Sequence, residues 1–365
     1  MKRHNRLKKH TLGLAAALLV TAGMSQIALA GDSVYVNTSS LRYRTSAQIK
    51  DNNIAGNLSY GQKLERVGTS GQWTMILLNG KKYYVSSAYV TSKKPASAGA
   101  VQTTSQTAAG AQTSGGTAIA LSSNYKYTNY SKINSGTATL YRSTASNKKN
   151  KVVCVNAGHG TNGGGSVKTQ CHPDGSAKVT GGTTGAGATS AVAVSSGMTF
   201  ADGTAESKVT LAMAKVLKTK LLNAGYDVLM IRESDDVQLD NIARTVIANN
   251  NADCHIALHW DSTSSNKGAF FMSVPSNATY RAMEPVASHW KQHNQLGESL
   301  ISGLKSAGVK IYSKGSMEMD LTQTSYSTIP SVDIELGDKA SDHSGATLET
   351  LANGLLTGVN TFFEQ

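Results

Sequence analysis

Four residues far apart in a 365-residue chain are of types that together could do metal-assisted hydrolysis: His159, Glu206, His259 and Glu335. Two imidazoles and a carboxylate suit a catalytic Zn²⁺ that keeps its fourth position open to water. A second carboxylate beside such a site suits the general base that takes a proton from that water. The spacings among the four are long and match no compact motif such as H-E-x-x-H. The chemistry therefore exists only if the fold brings the four together.

The elements that must position them can be read from the chain. His159 follows KVVCVNAGHG, in which Val152, Val153 and Val155 read as a strand buried on both faces and Gly158 and Gly160 punctuate its end. A residue just past a strand's carboxyl end sits where open α/β sheets place ligands. Glu206 heads a helix over Glu206–Asn223, with Val209, Met213, Val216, Leu217 and Leu221 on one face and Gly225 as its stop. A first-turn carboxylate is also what the helix dipole favours, which is the purely structural account of it.

His259 ends the strand Cys254–Trp260 (CHIALHW), where alternation puts His255, Ala257 and His259 on one face. His259 is at the rim, and the deeper His255 reads as a hydrogen-bonded interior residue. Glu335 stands near the end of the strand Ser331–Leu336 (SVDIEL), sharing a face with Asp333, and Gly337 reads as the strand break. A carboxylate there is costly to desolvate without a partner or a reaction. Strands over Asp227–Arg232 and Phe270–Val274 and helices over Leu239–Asn250, Pro285–Ala307 and Thr347–Phe363 complete an alternation from Lys151 onward. That pattern predicts an α/β domain, 151–365, with a mostly parallel twisted sheet and helices on both faces. A Gly/Thr/Ser-rich insertion, about Thr161 to Asp202, interrupts it, and loops of this length are functional or mobile.

The rest of the chain reads as delivery. Residues 1–30 have a basic start (Lys2, Arg3, Arg6, Lys8, Lys9), a short apolar run and Ala-Leu-Ala, the pattern of a secretory signal peptide. Its loss lowers the formal charge from +12 to +7, because it holds five basic residues and no acidic ones. A mildly basic remainder suits an anionic polymer such as a cell wall or a plain solvated surface. No nucleic-acid motif and no later membrane span is evident, so an exported, soluble protein is expected. Residues 32–92 read as a small all-β module with strands at Ser33–Val36, Leu41–Tyr43, Lys63–Gly68, Trp73–Leu77 and Lys82–Val85, and Asn79-Gly80 as a hairpin turn. Residues 93–120 read as a flexible Ala/Ser/Thr/Gly linker. The segment 121–150 is Tyr-rich; its Tyr125, Tyr127, Tyr130 and Tyr141 either pack on the next domain or stay loose. Three cysteines form no disulfide framework; one bond is open to them, and Cys154 and Cys254 read as core.

Two resemblances sharpen this reading. VNTSSLRYRTSA, Gly61-Gln-Lys-Leu64 and SGQWTMILLNGKKYYVSSAYV resemble a bacterial SH3 domain, which implies binding of cell-wall peptides. The strand into Ala-Gly-His159-Gly, Glu206 opening its helix, GYDVLMIR, IARTVIANNNADCHIALHWDS and IPSVDIELG occur in the order seen in zinc-dependent N-acetylmuramoyl-L-alanine amidases of the amidase-3 class. That resemblance implies Zn²⁺ held by His159, Glu206 and His259, Glu335 as the catalytic carboxylate, and peptidoglycan as substrate. The alternatives are a zinc peptidase cutting within the stem peptide and a wall-binding protein without catalysis. Here Asn156-Ala157 stands where the family more often has Asp-Pro, and the insertion is longer than usual. Among other residues, His172 reads as a solvated loop residue in preference to a substrate contact, and His289 and His293 as surface histidines. His343 is expected to flank the site, Arg244 to pair with a carboxylate inside the domain, and Asp320 to line the groove without an assigned role.

Overall fold

The computed structural model describes residues 32–36, 40–48, 53–59, 61–94 and 115–364. The expected signal peptide at 1–30 and most of the expected linker (95–114) fall outside these. The chain divides into two compact units, 1–107 and 108–365.

In the first unit, β1 (Asp32–Val36), β2 (Ser40–Arg44), β3 (Ile54–Ser59), β4 (Lys63–Ser70), β5 (Trp73–Leu78), β6 (Lys81–Ser86) and β7 (Val90–Thr91) form one sheet in the order β3-β2-β6-β5-β4-β1-β7. Every pairing in it is antiparallel. Asn79 and Gly80 take φ of 50° and 73°, as the two-residue hairpin turn between β5 and β6 requires. Val34, Val36, Leu41, Leu58, Leu64, Ile76 and Val85 form its core. The strand at 54–59 was not expected. It carries Gly56, whose absent Cβ leaves room for the Tyr43 ring, and a glycine within a short run hides a strand from pattern reading.

In the second unit an eight-stranded sheet is built from β8 (Thr117–Ala120), β9 (Thr137–Tyr141), β10 (Val152–Ala157), β13 (Asp227–Met230), β14 (Cys254–Asp261), β15 (Ala269–Ser273), β16 (Ile311–Glu318) and β17 (Ser331–Asp338). A two-stranded ribbon, β11 (Lys168–Gln170) and β12 (Ser190–Val192), stands apart within the insertion. The large sheet runs β16-β15-β17-β14-β10-β13-β9-β8. Its four central strands, β17, β14, β10 and β13, are parallel. The β15–β16 pairing at one edge is parallel as well, while β15–β17, β9–β13 and β8–β9 are antiparallel. The β9–β8 edge comes from residues assigned to the linker and the Tyr-rich segment. Thr117–Ala120 has too little bulk to be recognised alone; pairing with Thr137–Tyr141 makes it a strand. Nor does Gly337 end β17, which runs on to Asp338.

The helices are α1 (Glu206–Asn223), α2 (Asn241–Asn251), α3 (Ala278–Ala282), α4 (Val286–Ser306), α5 (Thr322–Tyr326) and α6 (Gly345–Phe363). Alternation along the strands decides which helices each face receives. Val153, Val155, Ile256, Leu258, Val332 and Ile334 turn to the long helices α1, α4 and α6, forming the main core. Cys154 and Leu229 turn the other way, to Ala243 and Ile247 of α2. That second face carries the shorter α2 and α5, and a cleft opens beside them. Tyr127 and Tyr130 anchor the Tyr-rich segment there by packing edge-on against Tyr326 of α5.

Candidate metal centre

Parallel strands that end together present their last residues along one rim, and β10, β14 and β17 do so here. His159 lies two residues beyond β10, His259 is near the end of β14, and Glu335 is its register partner in β17. The register places both of these side chains on the face that carries the cleft. Glu206 arrives from the opposite layer, because the helix following β10 begins at the same rim.

The three expected ligands converge. His159 Nε2 is 2.9 Å from Glu206 Oε1 and 3.0 Å from His259 Nδ1, and His259 Nδ1 is 3.2 Å from Glu206 Oε1. Among the described residues this is the one group of three or more His, Cys, Asp or Glu side chains able to share an ion. A tetrahedral shell with bonds of about 2.0–2.1 Å has ligand atoms about 3.3 Å apart, so the spacing fits a small divalent cation. The donor set, two nitrogens and one carboxylate oxygen, is one that catalytic metal sites use.

The backbone is shaped around this triangle. A Cβ on Gly158 would come 2.2 Å from the His259 ring, and one on Gly197 would come 2.7 Å from the His159 ring. His159 itself takes φ of +62°, a left-handed conformation that few non-glycine residues adopt. Two buried arginines hold it there. Arg232 donates from Nε to the Ala157 carbonyl (3.0 Å) and from Nη2 to that of Gly158 (2.8 Å), and Arg244 donates from Nη2 to that of His159 (2.7 Å). Arg244 therefore grips backbone carbonyls, Asn156 Oδ1 and Thr161, and not the carboxylate expected for it. A cation in the middle of the apolar face of α2 was the signal for this role.

Electrostatics at the rim favour positive charge. Burial opposes ionisation of Glu206, but hydrogen bonds from His159 and His259 outweigh it and hold the carboxyl well below its ordinary range. Burial likewise opposes protonation of His259, yet Asp333 and Glu206 push its pKa up to about 10. Burial, with Asp333 beside it, pushes the Glu335 carboxyl well up. The field that draws a proton onto His259 is the field a cation would meet. Glu335 is buried with no partner on Oε2, and it stands outside the ligand triangle while lining the same cleft.

The cleft has a volume of about 530 Å³. The insertion supplies one wall, from Gly182–Thr184 and Ala191–Met198, and Met272, Met317, Met319 and Leu321 supply the other. The insertion is held by Asp320. This residue does not line the groove; it is fully buried and accepts from His172 Nε2 (3.1 Å), Lys178 Nζ (3.0 Å), the backbone N–H groups of Val179 and Thr180, and the Thr180 hydroxyl. His172 is thus a buried strut and no solvated loop residue. A Pro-Asp-Gly turn announces exposure, but the partner that buries His172 lies 148 residues away.

The remaining expectations divide. His255 is buried against Asn156 Nδ2 (3.2 Å), as expected. His293 is buried and accepts from the Ser331 N–H, because its helix face turns to β17, while His289 is half-buried against the Pro285 carbonyl. His343 packs at a tilt against Phe200 near Asp202 and does not line the cleft. All three cysteines are buried and free.

A family profile described as N-acetylmuramoyl-L-alanine amidase matches residues 153–353. Similar solved structures include the N-acetylmuramyl-L-alanine amidase Ami1 from Mycobacterium smegmatis, at 19% identity and a TM-score of 0.45, over 60% of this chain and 99% of that one. The N-acetylmuramoyl-L-alanine amidase from Clostridium difficile 630 is similar at 18% identity and a TM-score of 0.43, over 59% of this chain and 97% of that one. The catalytic domain of CwlV from Paenibacillus polymyxa is similar at 18% identity and a TM-score of 0.38, over 59% and 98%. No curated protein sequence matches the chain at a significant level.

Proposed function

The chain belongs to the N-acetylmuramoyl-L-alanine amidase family of the amidase-3 class, and from that premise we propose that it is a zinc enzyme that cleaves peptidoglycan between muramic acid and the L-alanine of the stem peptide. His159, Glu206 and His259 hold the ion, and Glu335 is the catalytic carboxylate. The observation that carries this reading is the ligand triangle with an unpartnered, buried carboxylate in the same cleft. When bound, Zn²⁺ supplies a water of lowered pKa and polarises the scissile carbonyl.

The protein's own groups do the rest. Glu335 Oε2 takes the proton of the attacking water and delivers one to the departing L-alanine amine. The insertion and the methionine wall hold the lactyl–alanyl amide at the rim, where reacting groups gain from fixed orientation. The N-terminal unit, read as a bacterial SH3-type module, tethers the enzyme to the wall and raises its local concentration there. This reading makes the protein an exported, wall-associated one, and no helix among the described residues is long and apolar enough to cross a membrane.

The test is digestion of purified peptidoglycan, with products read by mass spectrometry. Stem peptides with a free L-alanine amine, lost with a chelator and restored by Zn²⁺, are expected. Cleavage inside the stem would replace this reading with a stem peptidase, and intact peptidoglycan would remove the catalytic assignment.

A further inference from the structure

Asp333 has no part in the reaction described above, yet it stands on the cleft side of β17 two residues before Glu335 and lines the cleft. Its Oδ2 is 3.6 Å from Nε2 of His259, and its Oδ1 is buried with no partner. His259 faces the ligand triangle with its other nitrogen, Nδ1. An imidazole offering Nδ1 to a cation must carry its proton on Nε2, and the carboxylate that faces that nitrogen is Asp333.

The other histidine of the triangle is arranged the same way. His159 turns Nε2 inward, and its Nδ1 lies 2.9 Å from the carbonyl oxygen of Ser195 and 3.1 Å from that residue's hydroxyl. Each ring thus has an oxygen behind its outer nitrogen. Such outer partners fix the tautomer and ring orientation of metal-bound histidines and raise their basicity. The register gives Asp333 its place, since Ala257 is its partner in β14 and His259 follows two residues later on the same face.

We infer that Asp333 is a positioning residue: it holds His259 in the tautomer that presents Nδ1 to the ion, while Glu335 alone acts on the water. The inference rests on the proposed metal site, and the two fail differently in one experiment. Metal affinity of the full chain is measured by titrating the metal-free protein with Co²⁺ and following its visible absorption, with Zn²⁺ added in competition. Asp333→Asn, which keeps the shape and loses the charge, should weaken Co²⁺ and Zn²⁺ binding about 10- to 100-fold. Asp333→Glu should recover part of that loss, and the Tm of the metal-free protein should stay within a few degrees of the parent's for Asp333→Asn. If the parent binds Co²⁺ and Asp333→Asn binds it equally well, the positioning role is overturned, and a fall in kcat alone would make Asp333 a substrate contact. If the parent binds no Co²⁺ or Zn²⁺, the metal site itself is wrong. Should Asp333→Asn not fold, Asp333→Ser decides: Co²⁺ and Zn²⁺ affinities equal to the parent's would overturn the role, because no carboxylate then faces His259.

Discussion

Asp320→Asn should release the insertion from the domain without unfolding the domain. The substitution keeps the side-chain volume, removes the charge, and converts one accepting oxygen into a donor. Lys178 and Asp320 are both buried, and removing one partner of a buried pair costs about 3–5 kcal/mol because the other charge is left uncompensated. That cost falls on residues 172–180, which meet Asp320 through five donors. It should therefore appear as local opening, in which amide exchange follows the free energy of the segment alone. At about 1.4 kcal/mol per tenfold, exchange through 172–180 should speed up by about a hundred- to a few thousand-fold, while β10 and β14 keep their protection. Hydrogen-exchange mass spectrometry resolves the two regions. The sign with pH follows from Asp320, whose hydrogen bonds with His172 and Thr180 outweigh burial and hold its pKa well below the ordinary carboxylate range. The stabilisation is fully present above the unfolded value of about 3.9 and is lost as pH falls through the folded one. Protection should thus persist from neutral pH to about pH 4 and fade only in stronger acid. Unchanged exchange in the variant at neutral pH would refute the view that Asp320 fixes this wall.

Other perturbations separate the parts of the site. Glu335→Gln should lower kcat by about 10²–10⁴-fold with metal content unchanged, read by dye release from labelled walls together with atomic absorption; full activity would end its role as base. Gly158→Ala puts a methyl 2.2 Å from the His259 ring and should strip the metal, whereas Gly185→Ala, with nothing within 4 Å, should not. Arg244→Met leaves the His159 carbonyl without its 2.7 Å donor, at a cost of about 2–3 kcal/mol, and a Tm lower by about 5–10 °C is expected by calorimetry.

The elements with strong periodicity were legible before the structure. α1 spans the residues expected for it, and β14 and β17 lie where CHIALHW and SVDIEL place them. The candidate ligands were legible because each stands at an element boundary, where a glycine or a helix start marks it. What escaped depends on distant partners. Thr117–Ala120 is a strand only because Thr137–Tyr141 is beside it, and β16, Ile311–Glu318, contains a glycine and alternates poorly at an edge. Asp320, His172 and Arg244 were named but misread, since local sequence gives charge and exposure tendency and not the partner across the fold. Asp333 was placed on the right face, and only the distance to His259 gives it a task.

The wide separation of the proposed ligands along the chain has a thermodynamic consequence. His159 and His259 are 100 residues apart, and Glu206 and His259 are 53 apart. The unfolded chain does not hold the three together, so an ion that needs them binds the folded unit in preference. By mass action, each tenfold of free ion above its dissociation constant then adds about 1.4 kcal/mol to the stability of that unit. Metal supply becomes a folding variable: loaded protein should resist heat and proteases in proportion to the logarithm of the ion concentration, whether or not any peptidoglycan is present.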